Sequence, residues 1–282
     1  MHSFTLSAFG DEIAPQLMVQ MDVLERFGIR CIEMRGVGGK NLVHHSLDEA
    51  REIKRTLDAR GFELSALGSP FGKIKIGEDF GPHLDLFRHA LEIAKIMECP
   101  FIRMFSFFVP PGEASVCRDE VLRRWRLFAA TAEEADVVLL HENEKNIYGD
   151  TADRCRDLLE SIGSDRVRAT FDPANFVQCG EETFPKAFSS LRKYIAQVHI
   201  KDARFTDRKV VPPGMGDGKV AEILGSLARA GFDGVLSIEP HLASYPDIAA
   251  FESDPRVAEM PAGGPRQFAV AAVTLLRILD TI

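Results

Sequence analysis

Cysteine is scarce and scattered in this sequence. The five thiols, Cys31, Cys99, Cys117, Cys155 and Cys179, include no CxxC pair. The chain therefore offers neither a disulfide framework nor a thiolate metal site, and it reads as a protein of a reducing cytoplasm. Long apolar runs are missing as well. The longest apolar helical pattern, near the carboxyl end, is broken by Arg277, short of the roughly 18 apolar residues that a membrane-spanning helix needs. In the opening stretch MHSFTLSAFGDE, Asp11 and Glu12 come too early for a cleavable leader. Positive charge is not in excess: 34 Lys and Arg stand against 42 Asp and Glu, a net −8 with neutral histidine. That balance argues against nucleic acid or an anionic membrane as partner and leaves room only for a local basic pocket. What remains is an ordinary globular composition, 45% hydrophobic and 27% charged over 282 residues, enough for a sizeable core.

Alternation organises the chain. Runs rich in β-branched and aromatic residues occur at 4–10, 30–36, 62–68, 100–107, 136–143, 167–173, 196–202 and 234–240. Segments of 3.6-residue periodicity lie between them, such as LMVQMDVLERFG, LDEAREIKRTLDARG and VLRRWRLFAATAEEA, several closed by a glycine (Gly28, Gly61, Gly231). Eight strand-helix units without a Pro/Ser-rich linker predict one (β/α)₈ TIM barrel domain spanning residues 1–282. The Pro/Gly-rich stretch 245–265 is expected to be an irregular excursion before the last helix.

In such a barrel the active site gathers where the strands end. Read in order, those ends supply Phe9 to Glu12, Glu33 and Arg35, Ser69, Arg103 to Ser106, Glu142 to Glu144, Asp172 and Asn175, His199 to Asp202, and Glu239 to His241. Side chains alternate faces along a strand, so parity separates axis-facing from helix-facing positions. Thr170 and Asp172 share a face, as do Gln197, His199 and Lys201, and Val235, Ser237 and Glu239; the alternate positions are strongly aliphatic. Asp172, His199 and Glu239 are thus expected to face the axis, with Glu142 following by analogy. These four residues stand 30, 27 and 40 positions apart, one on each of four successive strands. Three carboxylates crowded with one imidazole repel, and an oxygen-rich, one-nitrogen shell suits Mn²⁺, Mg²⁺, Co²⁺ or Zn²⁺. Barrel mouths carry polar residues in any case, so parity leaves open four independent solvent-facing side chains.

The blocks GDEIAP, RGVGGKN, SALGSPFGKIKI, IRMFSFF, LLHENEKNIYGDT, FDPANFVQCG, VHIKDA, VPPGMGDGKV and LSIEPH resemble those of the sugar phosphate isomerase/epimerase family of the xylose-isomerase-like barrel superfamily, and they fall at strand ends in barrel order. The resemblance implies a divalent metal held by Glu142, Asp172, His199 and Glu239. It also implies proton exchange at a substrate carbon by Glu142 and Glu239, as in related ketose epimerases. Two positions depart from those epimerases: Asn175 stands where they carry a histidine, and Lys201 and Asp202 follow His199.

The expected chemistry is isomerisation or epimerisation of a sugar, sugar phosphate or polyol-derived ketone through a metal-stabilised enediolate. Lys201 is a candidate proton donor or carbonyl polariser. Glu33, Arg35, Ser69, Arg103, Glu144, Asn175, Asp202 and His241 are candidate substrate contacts. The same enediolate can expel a β-hydroxyl, so a dehydratase acting on a keto-inositol or dehydroshikimate is the alternative. A damaged-DNA endonuclease fits poorly, because most of the eight histidines lie away from the mouth and the charge is negative. A non-catalytic sugar-binding barrel fits poorly because all four ligand candidates are intact. The glycine-rich stretch 36–40 lacks phosphate-loop spacing and reads as a loop. The segment 213–219 precedes a helix and is a weak candidate for phosphate. Trp125, Phe107 and Phe108 read as core or lid packing, with an apolar wall against the sugar as the alternative, and His83 and His89, on an amphipathic helix, read as surface or packing residues. The apolar terminal helix is an expected surface for a homo-oligomer.

Overall fold

The computed structural model describes residues 4–282; residues 1–3, the start of the stretch read above for a leader, lie outside the described residues. Eight parallel strands form the spine: β1 (Thr5–Ala8), β2 (Cys31–Met34), β3 (Glu63–Gly68), β4 (Phe101–Met104), β5 (Val138–Glu142), β6 (Val167–Phe171), β7 (Ile195–Ile200) and β8 (Val235–Ile238). Each overlaps one of the eight runs chosen from the sequence. Neighbours pair sequentially, and β8 closes on β1 with Thr5 opposite Val235, completing the predicted barrel.

The outer layer includes α1 (Leu17–Arg26), α2 (Leu47–Asp58), α3 (Gly81–Ile96), α4 (Ala114–Glu134) and α5 (Ala152–Ile162). Their ends are written locally. Ser46 and Glu49 form a capping box at the start of α2, Thr151 caps α5, and Gly163 ends α5 in the left-handed region. After β6 come two short helices, α6 (Pro173–Cys179) and α7 (Phe188–Leu191), followed beyond β7 by α8 (Val220–Arg229). The excursion after β8 carries the short α9 (Pro255–Ala258) before α10 (Gly264–Leu279). Among the described residues no helix is long and apolar enough to cross a membrane.

Apolar side chains fill the space between strands and helices. Phe71, Phe87, Phe107 and Phe128 pack with Trp125 and His83 beside β4; Trp125 Nε1 donates to the Phe105 carbonyl (3.1 Å) and His83 Nε2 accepts from Gly72 N–H (2.9 Å). The packing role expected for Trp125, Phe107 and His83 is what the structure has. The stretch 36–40 is a small antiparallel ribbon, turning at Gly38 and Gly39 with φ of 63° and 77°. The terminal helix departs from expectation: from Phe268 to Leu275 it is buried within the chain, with Phe268 edge-on to Phe27. Its apolar face is spent on the barrel's own core and does not supply the surface proposed for a second copy.

Candidate metal centre

Strand ends deliver four ligand candidates to one point. Glu142 closes β5, His199 is the penultimate residue of β7, and Asp172 and Glu239 directly follow β6 and β8. All four are buried, and one ligand atom from each lies within 4.8 Å of the others. His199 Nδ1 stands 3.2 Å from Glu142 Oε1, 3.6 Å from Glu239 Oε2 and 3.8 Å from Asp172 Oδ2. The parity argument put these side chains on the axis, and His199 confirms it by reaching Glu33 of β2, a strand separated from β7 by β1 and β8.

The local sequence fixes each ligand. In Phe171-Asp-Pro, Asp172 caps α6, its Oδ1 accepting from Asn175 N–H at 2.8 Å while Oδ2 turns to the cluster. Pro173 suits the first helical position because its missing N–H has no partner there in any helix. Asn143 clamps the same residue from β5: its Nδ2 donates to the Asp172 carbonyl (2.8 Å) and its Oδ1 accepts from Asp172 N–H (2.9 Å). Asn175 Nδ2 donates to Glu142 Oε1 (3.1 Å) and to the Asn143 carbonyl (3.0 Å). Asn175 therefore orients Glu142, and Asn143, read from the sequence only as part of a strand end and not as a site residue, is a further part of the scaffold.

Beside the cluster lies a buried polar group. Glu33, fully buried, accepts from Gln197 Nε2 and faces His199 Nε2 at 3.0 Å. Arg103 Nε sits 3.4 Å from Glu33 Oε1 and 3.2 Å from Glu142 Oε2, and Arg103 Nη1 donates to the Ser69 carbonyl at 2.9 Å. Ser69 Oγ donates to the Arg103 carbonyl (2.6 Å). Glu33, Ser69 and Arg103, expected at the substrate, are buried beside the cluster and tied to these protein partners.

Asp202 is likewise reassigned. It is buried, and its carboxylate accepts from the N–H groups of Ala203 (2.8 Å), Gly214 (3.0 Å), Gly216 (2.9 Å) and Gly218 (2.8 Å). The glycine-rich loop that resembled a phosphate nest is thus filled by a carboxylate of the chain itself, and a β-carbon at Gly216 or Gly218 would run into that carboxylate.

Lys201 is buried with its Nζ 2.7 Å from both Asp172 Oδ2 and Glu239 Oε2. At the rim, Arg35 reaches Asp11 (2.7 Å), Glu12 (3.3 Å) and Glu239 Oε1 (3.6 Å). His241 Nε2 pairs with Glu12 at 2.8 Å and lies 3.4 Å from Glu239, and Glu144 meets Lys73 at 3.3 Å. Arg35, Glu144 and His241 thus share the rim with Asp11 and Glu12.

The residues fit a divalent cation. Four buried carboxylates (Glu33, Glu142, Asp172, Glu239) face two buried side-chain cations (Arg103, Lys201) and the His199 imidazole, an excess of negative charge that a divalent cation would offset. His199 Nδ1 is buried without a hydrogen-bond partner and points at three carboxylates. Burial pushes the His199 and Lys201 pKa values down, but the surrounding carboxylates, Glu33 and Glu142 for the imidazole and Asp172 and Glu239 for the ammonium, hold both well above their ordinary range. Burial would raise the Glu239 carboxyl, yet Lys201, His241, His199 and Arg35 hold it well below the usual range. A field that favours protons on two basic groups favours a metal cation there too.

The closed barrel defines a class of scaffold, and the comparisons place the chain in it. A family model described as xylose isomerase-like TIM barrel matches residues 21–259, and the chain belongs to that family. No curated protein matches the sequence. Solved structures share the fold. The IolI protein with a bound zinc atom has a TM-score of 0.75 at 18% identity, with 99% of both chains covered. The probable 3-DHS dehydratase AsbF of Bacillus anthracis gives 0.73 at 16% identity, covering 98% of this chain and 99% of that one. D-psicose 3-epimerase of Clostridium cellulolyticum H10, solved with D-tagatose, gives 0.72 at 14% identity over 97% and 98%.

Proposed function

We propose that the protein is a divalent-metal-dependent isomerase or epimerase of a sugar, sugar phosphate or polyol-derived ketone. The observation that carries this reading is the buried group Glu142, Asp172, His199 and Glu239, with ligand atoms within 4.8 Å and His199 Nδ1 unsatisfied. A divalent cation held by these residues supplies a Lewis acid for charge developing on a substrate carbonyl oxygen. The remaining work falls to the chain. Glu142 and Glu239 approach the mouth from β5 and β8, with two strands between them. Two carboxylates reaching one carbon from different sides are what proton removal on one face and return on the other require. Asn175 and Arg103 hold Glu142 in place. Lys201, against Glu239, offers a proton to the oxygen or carbon on that side. Burial of the set keeps bulk water from the reacting carbon. The D-tagatose complex of the psicose epimerase supports a small carbohydrate as substrate.

Lys201 also favours a second reading. A buried ammonium beside Glu239 can protonate a departing hydroxyl, the step a dehydratase needs, and one structural neighbour is described as a probable 3-DHS dehydratase. The test is to incubate Mn²⁺-loaded protein with a panel of ketoses and keto-polyols in D₂O and follow it by NMR. Deuterium uptake with a new epimer or isomer supports the first reading, and a dehydrated product supports the second. No exchange across the panel contradicts both.

A further inference from the structure

We propose that Glu33 is a positioning residue that aims His199 at the metal. This rests on the metal reading above and adds a part that the ligand set does not contain. Glu33 comes from β2, where the pairing with β3 shifts register between Ile32 and Glu33. Such an irregularity re-aims a side chain. From there Glu33 crosses the barrel interior to β7 and meets the far nitrogen of the His199 ring, Nε2 lying 3.0 Å from Oε2 and 3.3 Å from Oε1.

Glu33 is itself held by two further partners. Gln197 Nε2 donates to Oε2, Arg103 Nε faces Oε1 at 3.4 Å, and the side chain has no exposure to solvent. The His199 ring is wedged edge-on against Phe9, 5.1 Å between centroids. A carboxylate so fixed accepts a hydrogen bond from Nε2–H and leaves the Nδ1 lone pair free. Nδ1 is the ring atom that faces Glu142, Asp172 and Glu239 and has no hydrogen-bond partner. A carboxylate behind a ligating imidazole fixes its tautomer and raises its basicity, and removing such a partner typically weakens metal binding about 10–100-fold. Arg103 bridges this carboxylate to Glu142, so the two ligands of β5 and β7 share one buried support.

The experiment compares wild type, Glu33→Met and Glu33→Gln by Zn²⁺ titration calorimetry and by long-range ¹H–¹⁵N spectra of the histidine rings, with His199→Gln to assign the signal. The expected result is a Zn²⁺ affinity lowered about 10–100-fold in Glu33→Met and partly restored in Glu33→Gln, whose side-chain oxygen still accepts from Nε2–H. In the Zn²⁺-loaded wild type, Nε2 should carry the proton and Nδ1 the shift of a metal-bound nitrogen; Glu33→Met should move both. Should Glu33→Met not fold, Glu33→Gln carries the comparison, expected a few-fold weaker than wild type with displaced ring shifts. Wild-type affinity and unchanged shifts in a folded variant would overturn the role of Glu33 while leaving the metal centre standing. A wild type that takes up no Zn²⁺ would overturn the metal reading and this proposal with it.

Discussion

Lys201 Nζ lies 2.7 Å from Glu239 Oε2, so a buried ammonium touches the carboxylate that closes the barrel mouth from β8. Its second partner, Asp172 Oδ2, is equally close. The ammonium therefore shares two of the three ligand carboxylates, which separates its two expected effects. Replacing it with an uncharged chain of similar length, Lys201→Met, should lower turnover by about 10²–10⁴, the usual contribution of a positioned proton donor. Divalent-metal affinity should stay the same or rise, because a competing cation is gone. Steady-state kinetics beside calorimetry checks both; lost metal binding together with lost activity would assign Lys201 a purely structural role.

Asp202 is expected to act on stability and not on substrate binding. Asp202→Ala strips four backbone N–H groups of their acceptor, and a cost of about 3 kcal/mol follows from leaving buried donors unpaired. Chemical denaturation should show that loss while Zn²⁺ still binds at one equivalent. A normally stable variant with a tenfold higher KM would instead return Asp202 to the substrate.

Acid should weaken the fold through His141. The ring is buried beside Trp125 with Nε2 2.9 Å from Ser106 Oγ, and burial pushes its pKa down to about 4. The unfolded chain, titrating near 6.5, binds more protons between those values. The contribution of neutral His141 is therefore present above about pH 6.5 and is lost as pH falls toward 4, a change of about 3 kcal/mol at 1.36 kcal/mol per pH unit. His83, also pushed down to about 4 by burial and by Arg124, acts in the same direction. Denaturation midpoints measured from pH 7 to pH 4 should fall, and His141→Gln should flatten the slope by about one proton.

Most of the architecture was legible in the sequence because alternation and helical periodicity are local signals. Each of the eight strand runs overlaps a barrel strand, and parity put Asp172, His199 and Glu239 on the axis. Contacts between strands were not legible. Glu33 and Arg103 sit on strands whose ends were correctly placed, but the contacts of Glu33 with His199 and of Arg103 with Glu33 and Glu142 join residues far apart in sequence, and neither strand shows them alone. Asp202 was misread for a related reason: its partners, Gly214 to Gly218, lie more than ten residues away, and nothing local shows that the loop folds back onto it. The terminal helix looked available because its apolar residues were visible in the sequence while the core that covers them was not.

Metal loading should also show in thermal stability. A cation that binds only the folded chain adds about 2.7 kcal/mol at a free concentration 100-fold above its Kd. Tm should therefore rise with Mn²⁺ or Zn²⁺ and fall back on adding a chelator.

The central claim is a metal held by Glu142, Asp172, His199 and Glu239, and metal titration by calorimetry tests it most directly. Wild type should bind one equivalent of Mn²⁺ or Zn²⁺. Glu142→Gln and Glu239→Gln, still folded by circular dichroism, should bind it far more weakly. A folded wild type that binds no divalent cation, or binds it equally well without both glutamates, would contradict the account.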